Sequence, residues 1–321
     1  MQAAVLTSPR TIEIQDVEPP RLQPGQVRIA IEGCGVCASN LPPFEGREWF
    51  QYPFAPGSPG HEGWGVVDEV GPGVRDLNAG DRVTFLSSAA YATHDVAPAE
   101  HVVKLPDALA GRELPGEPLA CAMNIFRRSD VRPEQTVAIV GIGFLGAALT
   151  ALASRAGARV IAISRRRSSL ELAERFGAAV TIPMEDHGRI VSQVRELTGG
   201  EGCERVIEAV GKQWPLDLAA ELVRVRGRLV IAGYHQDGPR QVDLQSWNWR
   251  GLDVVNAHER DPAQYVRGMR EAVDAVVAGH LDPAPLITHR FPLERLGDAL
   301  TTTAERPDGF VKALIVNAVE R

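Results

Sequence analysis

The chain is poor in cysteine, with only Cys34, Cys37, Cys121 and Cys203 among 321 residues. That density excludes a disulfide-stapled scaffold and reserves any special cysteine for metal binding or chemistry in a reducing compartment. Excess positive charge is lacking too. The formal net charge is −7 and the longest basic run is Arg165-Arg166-Arg167, so no broad nucleic-acid footprint is expected. Met1 to Val5 shows neither a basic stretch nor an apolar run, so no secretory leader is expected, and the expected location is the cytoplasm. An unbroken membrane span is also missing. Val137 through Ala153 carries Thr150 as its only polar side chain, close to the roughly 20 residues a bilayer requires. Glycines interrupt its first half, however, and a buried strand followed by a buried helix fits it better.

What remains is an ordinary globular balance, 44% hydrophobic and 23% charged, at a length suited to about two domains. The first hundred or so residues read as short strands between Gly and Pro turns. Val27-Arg28-Ile29-Ala30-Ile31 alternates, Gly65 to Val70 forms a second run ending at Gly71-Pro72-Gly73, and Gly80-Asp81 turns into Arg82-Val83-Thr84-Phe85. Such a pattern suits a small barrel or sandwich. Near residue 118 it changes to unbroken apolar runs, Val137–Val140, Val160–Ile163, Val206–Ile207, Leu229–Ala232 and Leu252–Val255. Between them lie helical segments predicted at Leu145–Ala156, Ser169–Phe176, Ile190–Leu197 and Leu216–Val223. Strands buried on both faces and alternating with helices predict a doubly wound parallel sheet. After about residue 257 the alternation stops. A helix is predicted over Gln264–Ala278 and a last strand over Val311–Val316.

The run Val137–Val140 leads directly into Gly141-Ile142-Gly143-Phe144-Leu145-Gly146 and then a helix. In that setting G-x-G-x-x-G is a dinucleotide fingerprint. The first glycine makes the tight turn, the second admits the pyrophosphate to the backbone, and the third lets helix and strand approach. Gly141, Gly143, Phe144, Leu145 and Gly146 are therefore candidate cofactor contacts, with the helix N-terminus facing the phosphates. A carboxylate at the end of the next strand would mark NAD. Here the strand ends in Ser164, followed by Arg165, Arg166 and Arg167, with no carboxylate before Glu171. A hydroxyl and forked guanidinium donors suit a 2′-phosphate, so Ser164, Arg165 and Arg166 predict NADP(H) over NAD(H). The bland alternative is that the arginines begin a helix on a solvated face.

Two further motifs look chemical, Gly33-Cys34-Gly35-Val36-Cys37-Ala38-Ser39-Asn40 and Gly60-His61-Glu62-Gly63-Trp64-Gly65. Zinc takes thiolate, imidazole and carboxylate ligands. Cys37 and His61 supply two types, and Glu117-Pro118-Leu119-Ala120-Cys121 offers a third. Taken singly, a histidine before a glutamate is usually a surface or cap residue. Cys34-x-x-Cys37 is half of a zinc ribbon whose second pair is missing.

Together with the glycine turn, these motifs resemble the zinc-dependent medium-chain dehydrogenases, which include alcohol, sorbitol and threonine dehydrogenases. The resemblance covers nearly the whole chain. It is carried by Gly35-Val36-Cys37 with Ser39, Gly60-His61-Glu62, Gly80-Asp81-Arg82-Val83, Glu117-Pro118-Leu119 and the glycine fingerprint. It implies an α/β protein with a GroES-like β-barrel catalytic domain (residues 1–117 and 257–321) interrupted by a doubly wound Rossmann domain (118–256), the active site lying in the cleft between them. It implies that Cys37 and His61 bind one catalytic zinc. Glu62 corresponds to a carboxylate able to enter and leave the coordination shell. The third ligand is Glu117, as in sorbitol-dehydrogenase-like members, or the softer Cys121, with Glu117 preferred. Ser39 matches the hydroxyl that accepts the substrate's proton, and Lys312 is similar to a basic position near the cofactor phosphates. The resemblance further implies a reversible alcohol–carbonyl conversion on a small molecule, in a homodimer or homotetramer, with no nucleic-acid or membrane partner.

The sequence departs from that pattern in places. No four-cysteine lobe exists for a structural zinc, since the chain runs from Val83 through Tyr91 and His94 to Val102 without cysteine. The usual aspartate after the Ser/Thr position is Asn40, which weakens the expected orientation of the histidine ligand. The histidine that often ends the proton relay is Pro42, leaving water or Glu45 for proton exit. Trp49, Phe50, Tyr52 and Phe54 either line the substrate pocket or belong to the barrel core. Ser87, small and polar where simple alcohol dehydrogenases are often bulky, points to a polar substrate such as a polyol or sugar derivative. Two other readings stay open: a zinc-free quinone or enone reductase on the same fold, and a non-catalytic NADP(H)-binding protein.

Overall fold

Alternation along Val27, Ile29 and Ile31 buries these side chains almost completely, and around them the first unit is built. The computed structural model describes residues 1–317. The chain divides into two compact units, Met1–Ala120 with the segment from Arg260 onward, and Cys121–Glu259. The first unit opens with a hairpin of β1 (Gln2–Ser8) and β2 (Thr11–Asp16). There follow β3 (Gln26–Val36), α1 (Leu41–Glu45), β4 (Glu62–Val70), β5 (Arg82–Phe85), β6 (His94–Pro98), β7 (Val102–Lys104) and α2 (Gly116–Ser129), which crosses the boundary. The second unit holds β8 (Thr136–Val140), α3 (Phe144–Arg155), β9 (Arg159–Ser164), α4 (Arg167–Arg175), β10 (Val180–Pro183) and α5 (His187–Leu197). It continues through β11 (Cys203–Glu208), α6 (Gln213–Leu222), β12 (Val223–Ile231), α7 (Leu244–Trp249) and β13 (Asp253–Asn256). The chain then returns to the first unit with α8 (Pro262–Val277), β14 (His289–Phe291), α9 (Leu296–Glu305) and β15 (Ala313–Val316).

Strand β3 is the pivot of the first unit. Antiparallel β4 runs along one edge from Val27 to Gly35. The other edge is shared, β6 pairing with Gln26–Ala30 and β15 with Gly33–Val36. The sheet continues as β14-β15-β3-β4-β5-β7. Its core gathers Val27, Ile29, Ile31, Val67, Phe85 and Tyr91, with Leu296, Leu300 and Phe310 from the C-terminal segment.

The second unit is a six-stranded sheet in the order β10-β9-β8-β11-β12-β13, parallel throughout. Val137 to Val140 and Val160 to Ile163 are fully buried, as strands covered by helices on both faces must be. The order reverses between β8 and β11. In such sheets ligands bind beyond the carboxyl ends of the strands at that reversal. The apolar stretch from Val137 is thus divided between β8 and α3. Among the described residues no helix is long and apolar enough to cross a membrane. Helix α7 has no counterpart in the sequence reading, because its tryptophans and Leu244 gave no helical period.

Candidate metal centre and dinucleotide turn

The register of three neighbouring strands assembles the site. Gly35 near the end of β3 pairs with Glu62 at the start of β4, and Val36 pairs with Ala313 at the start of β15. Cys37, His61 and Lys312, each one residue outside those pairs, therefore meet at one edge of the sheet. The ligand atoms of Cys37, His61 and Glu62 lie within 4.8 Å of one another. Cys37 caps the short turn Ala38–Asn40, which holds the half-buried Ser39 beside it. The Ser39 hydroxyl makes no hydrogen bond among the described residues.

Glu62 is 1% exposed, and its carboxylate lies directly over Gly35. A Cβ at Gly35 would sit 1.8 Å from Glu62 Oε2, so only glycine fits there. Lys312, also buried, brings Nζ to 2.6 Å from Oε2 and donates a hydrogen bond to Oε1 at 2.9 Å. Oε2 thus touches the ammonium yet receives no aligned hydrogen bond, leaving a buried oxygen with acceptor capacity. The ammonium of Lys312 is paired with the Glu62 carboxylate, because β15 pairs with β3 beside β4.

His61 donates from Nδ1 to the Pro59 carbonyl at 2.9 Å, so its neutral form presents Nε2 as a lone-pair donor. Burial disfavours the charged imidazole. A hydrogen bond to Cys37 and the charges of Cys37, Glu117 and Glu62 outweigh that penalty and raise its pKa to about 10. Lys312 follows the same logic: burial opposes its charge, and Glu62, Cys37 and Glu117 raise its pKa overall. The pocket is a concentration of negative potential that favours a cation. Sulfur, nitrogen and oxygen donors within one small sphere, together with this potential, fit zinc.

The other sequence candidates are placed as follows. Glu117, at the first turn of α2, acts on His61 and Lys312 through its charge, while the donor atoms gathered within 4.8 Å are those of Cys37, His61 and Glu62. Cys121, one helical turn further along α2, is half-buried. Cys34 is a core thiol, pushed up in pKa by burial and then by Glu62, which removes the zinc-ribbon reading. Glu45 pairs with Arg47 at 3.6 Å. The Ser87 hydroxyl is tied to Asp95 and contacts the Gly60 carbonyl at 3.3 Å, so its polarity is spent inside the protein. Tyr52 and Phe54 pack against the barrel core, whereas Trp49 is 55% exposed. The sequence reading missed Lys312 as the partner of Glu62, for which the available signal was Gly35, a glycine inside a strand.

In the second unit, Gly141 follows β8 at φ +99°, a conformation that L side chains rarely adopt, and a Cβ at Gly146 would lie 1.9 Å from the Gly141 carbonyl oxygen. Gly143 caps α3 with no side-chain cap, and open space surrounds its missing Cβ. Phe144 and Leu145 open α3, so the cradle is bare backbone N–H at a helix N-terminus, which suits a pyrophosphate. Ser164 ends β9. Beyond it Arg165 is exposed with no ion pair among the described residues, Arg166 caps α4, and Arg167 pairs with Glu171 of its own helix at 2.9 Å.

A mixed sheet carrying a thiolate–imidazole–carboxylate cluster, joined to a parallel sheet with a dinucleotide turn, defines a two-domain α/β oxidoreductase. Residues 23–107 match the profile of the alcohol dehydrogenase GroES-like domain, and residues 145–277 that of zinc-binding dehydrogenases. An alcohol dehydrogenase of Geobacillus stearothermophilus is 32% identical over 267 residues, covering 73% of this chain and 77% of its own. The erythritol/L-threitol dehydrogenase of Mycolicibacterium smegmatis is 28% identical over 98% of this chain and 97% of its own. A Sinorhizobium meliloti protein described as a zinc-binding dehydrogenase, solved bound to NADP, is 25% identical with a TM-score of 0.83 and 98% coverage of both chains. The chain belongs to the zinc-dependent medium-chain dehydrogenase family. It is an oxidoreductase acting on alcohols, with a GroES-like and a Rossmann-like domain.

Proposed function

We propose that this chain is a single-zinc, NADP(H)-preferring dehydrogenase of polar alcohols, a polyol or sugar derivative being the favoured substrate class. The observation that carries the zinc is the approach of the Cys37, His61 and Glu62 donors to within 4.8 Å. When bound, zinc supplies Lewis acidity at the substrate oxygen, and the nicotinamide supplies the two-electron acceptor. Cys37 and His61 Nε2 hold the metal. Glu62, restrained by Lys312, adds a carboxylate that can enter or leave the shell, and Glu117 is the third ligand, in preference to Cys121. Ser39 relays the proton of the substrate hydroxyl: its oxygen accepts that proton as its own hydroxyl hydrogen passes outward to water. Gly141 to Gly146 seat the pyrophosphate, and Ser164, Arg165 and Arg166 receive the 2′-phosphate. The polyol class rests on relatives such as the erythritol/L-threitol dehydrogenase, since Ser87 is tied to Asp95.

The test is paired: zinc per chain by elemental analysis, and NADPH against NADH affinity on the same preparation. One zinc and tighter NADPH binding are expected. A zinc content near zero sinks the metal mechanism and leaves the quinone or enone reductase reading. Tighter NADH binding overturns the reading of Ser164 and the arginines. Turnover on four- to six-carbon polyols exceeding that on simple primary alcohols is the expected substrate result.

A further inference from the structure

The Pro59 carbonyl that fixes the His61 ring is itself held. It has two lone pairs. One takes the Nδ1 proton of His61 at 2.9 Å, and the other takes Nδ2 of Asn40 at 3.1 Å. Asn40 is 3% exposed, and its Oδ1 accepts the hydroxyl of Tyr91 at 2.7 Å. Tyr91 is wholly buried in the core of the first unit, and its oxygen also lies 3.3 Å from the Gly35 carbonyl. A carbonyl oxygen can only accept, so the Asn40 group facing Pro59 must be the NH₂. The opposite end must then be the acceptor that meets Tyr91. The amide is thus specified from both sides, as a donor toward Pro59 and an acceptor toward Tyr91.

We infer that Asn40 is a positioning residue for the metal-binding nitrogen of His61, acting through Pro59 and anchored by Tyr91. This rests on the zinc reading above. An aspartate at position 40 would present an oxygen to the Pro59 oxygen, and two acceptors face to face repel. The neutral amide is therefore matched to this chain's Pro59 carbonyl. It places His61 without adding a negative charge to a pocket already acidic with Cys37, Glu62 and Glu117.

The near-isosteric Asn40→Asp variant separates positioning from charge, because the two predict opposite signs. An added carboxylate near zinc should tighten binding by attraction alone. Loss of the Pro59 clamp should weaken it by about 10- to 100-fold, the usual cost of removing a group that orients a metal-binding histidine. Zinc affinity is measured by chelator competition on the full chain, alongside the visible absorption bands of the cobalt-substituted protein. Weaker zinc binding with altered cobalt bands is expected, and Tyr91→Phe should give a smaller weakening of the same sign. Equal or tighter zinc binding by Asn40→Asp overturns the inference. A third readout needs no metal: the His61 Nδ1–H proton resonance of the zinc-free protein. It should be sharp and downfield in the wild type and broadened or shifted in Asn40→Asp, or in Tyr91→Phe if the aspartate variant does not fold. An unchanged resonance overturns the inference. Wild-type protein that holds no zinc would overturn the functional reading alone, and this resonance would still decide the role of Asn40.

Discussion

The two units build their sites by opposite means. In the second, the dinucleotide turn is a contiguous stretch whose working parts are backbone N–H groups and missing side chains, with Gly141 and Gly146 leaving room for each other. In the first, the working parts are side chains far apart in the chain, Cys37, His61 and Lys312, brought together only by the registers of β3, β4 and β15. One site is written along the chain and the other across it. A local motif tolerates distant change, whereas an assembled site depends on every strand that carries a piece of it.

The largest effect that would break this contrast is Cys37→Ala. Loss of zinc and a fall of about 10³-fold or more in kcat/KM are expected, the size of several kcal/mol of lost electrostatic assistance. NADPH affinity should stay within about twofold, if each cofactor is held by its own unit. Metal analysis, turnover and fluorescence titration on one preparation check it, and a joint loss of both cofactors would erase the distinction.

Next is Lys312→Met, which strands the buried Glu62 carboxylate without its cation. Removing one partner of a buried ion pair costs about 3–5 kcal/mol, so the denaturation midpoint of the zinc-free protein should fall markedly. NADPH affinity should not change, because the ammonium sits on Glu62. A loss of NADPH affinity at unchanged stability would place Lys312 at the phosphates.

Smaller is Ser164→Asp, which puts a carboxylate where β9 ends. The ratio of NADPH to NADH affinity should drop by about 10- to 100-fold, through repulsion of the 2′-phosphate and a new bond to the ribose diol. Zinc content should be unaltered. A ratio that stays constant would place the adenosine ribose elsewhere.

The smallest effect concerns a surface network of the second unit. Asp237 meets Lys212 and Arg240, whose hydrogen bonds hold its pKa well below the usual carboxylate range. Its folded pKa is depressed, so its contribution is present above the unfolded value of about 4 and is lost as pH falls through the folded one. Partial exposure keeps it near or below about 1 kcal/mol. Wild type should exceed Asp237→Asn in urea midpoint at pH 7. The gap should narrow progressively as the pH is taken below 4, and a gap that widens on acidification would reverse the sign.

Legibility in the sequence followed the same division. The parallel sheet announced itself because strands buried on both faces are continuous apolar runs, and the turn at Gly141 stands between a strand and a helix. Strand and helix ends differ from expectation by a few residues, as with Gln264–Ala278 against α8. The metal residues Cys37 and His61 were readable as motifs. Their surroundings were not, because sequence separation hides register: Lys312 lies 250 positions from Glu62, and Tyr91 lies 51 from Asn40. Asn40 appeared in the sequence as a weakened substitute for aspartate. In the structure it is bonded on both sides, and the orienting acceptor of His61 is a backbone carbonyl that no side-chain pattern could reveal. Ser87 looked like a pocket residue because its partner Asp95 belongs to a neighbouring strand.

The shared edge of β3 also sets an order of events on the ribosome. The chain has supplied every strand of the parallel sheet by Asn256, while β3 still lacks the neighbour that covers Gly33 to Val36. That neighbour, β15, is synthesised after the whole parallel sheet, and Lys312 arrives just ahead of it. Until then Glu62 has no buried cation, and the zinc ligands stand at an unfinished sheet edge. Translation of this chain therefore supplies every strand of the parallel sheet before the edge of β3 that carries the metal residues can be covered.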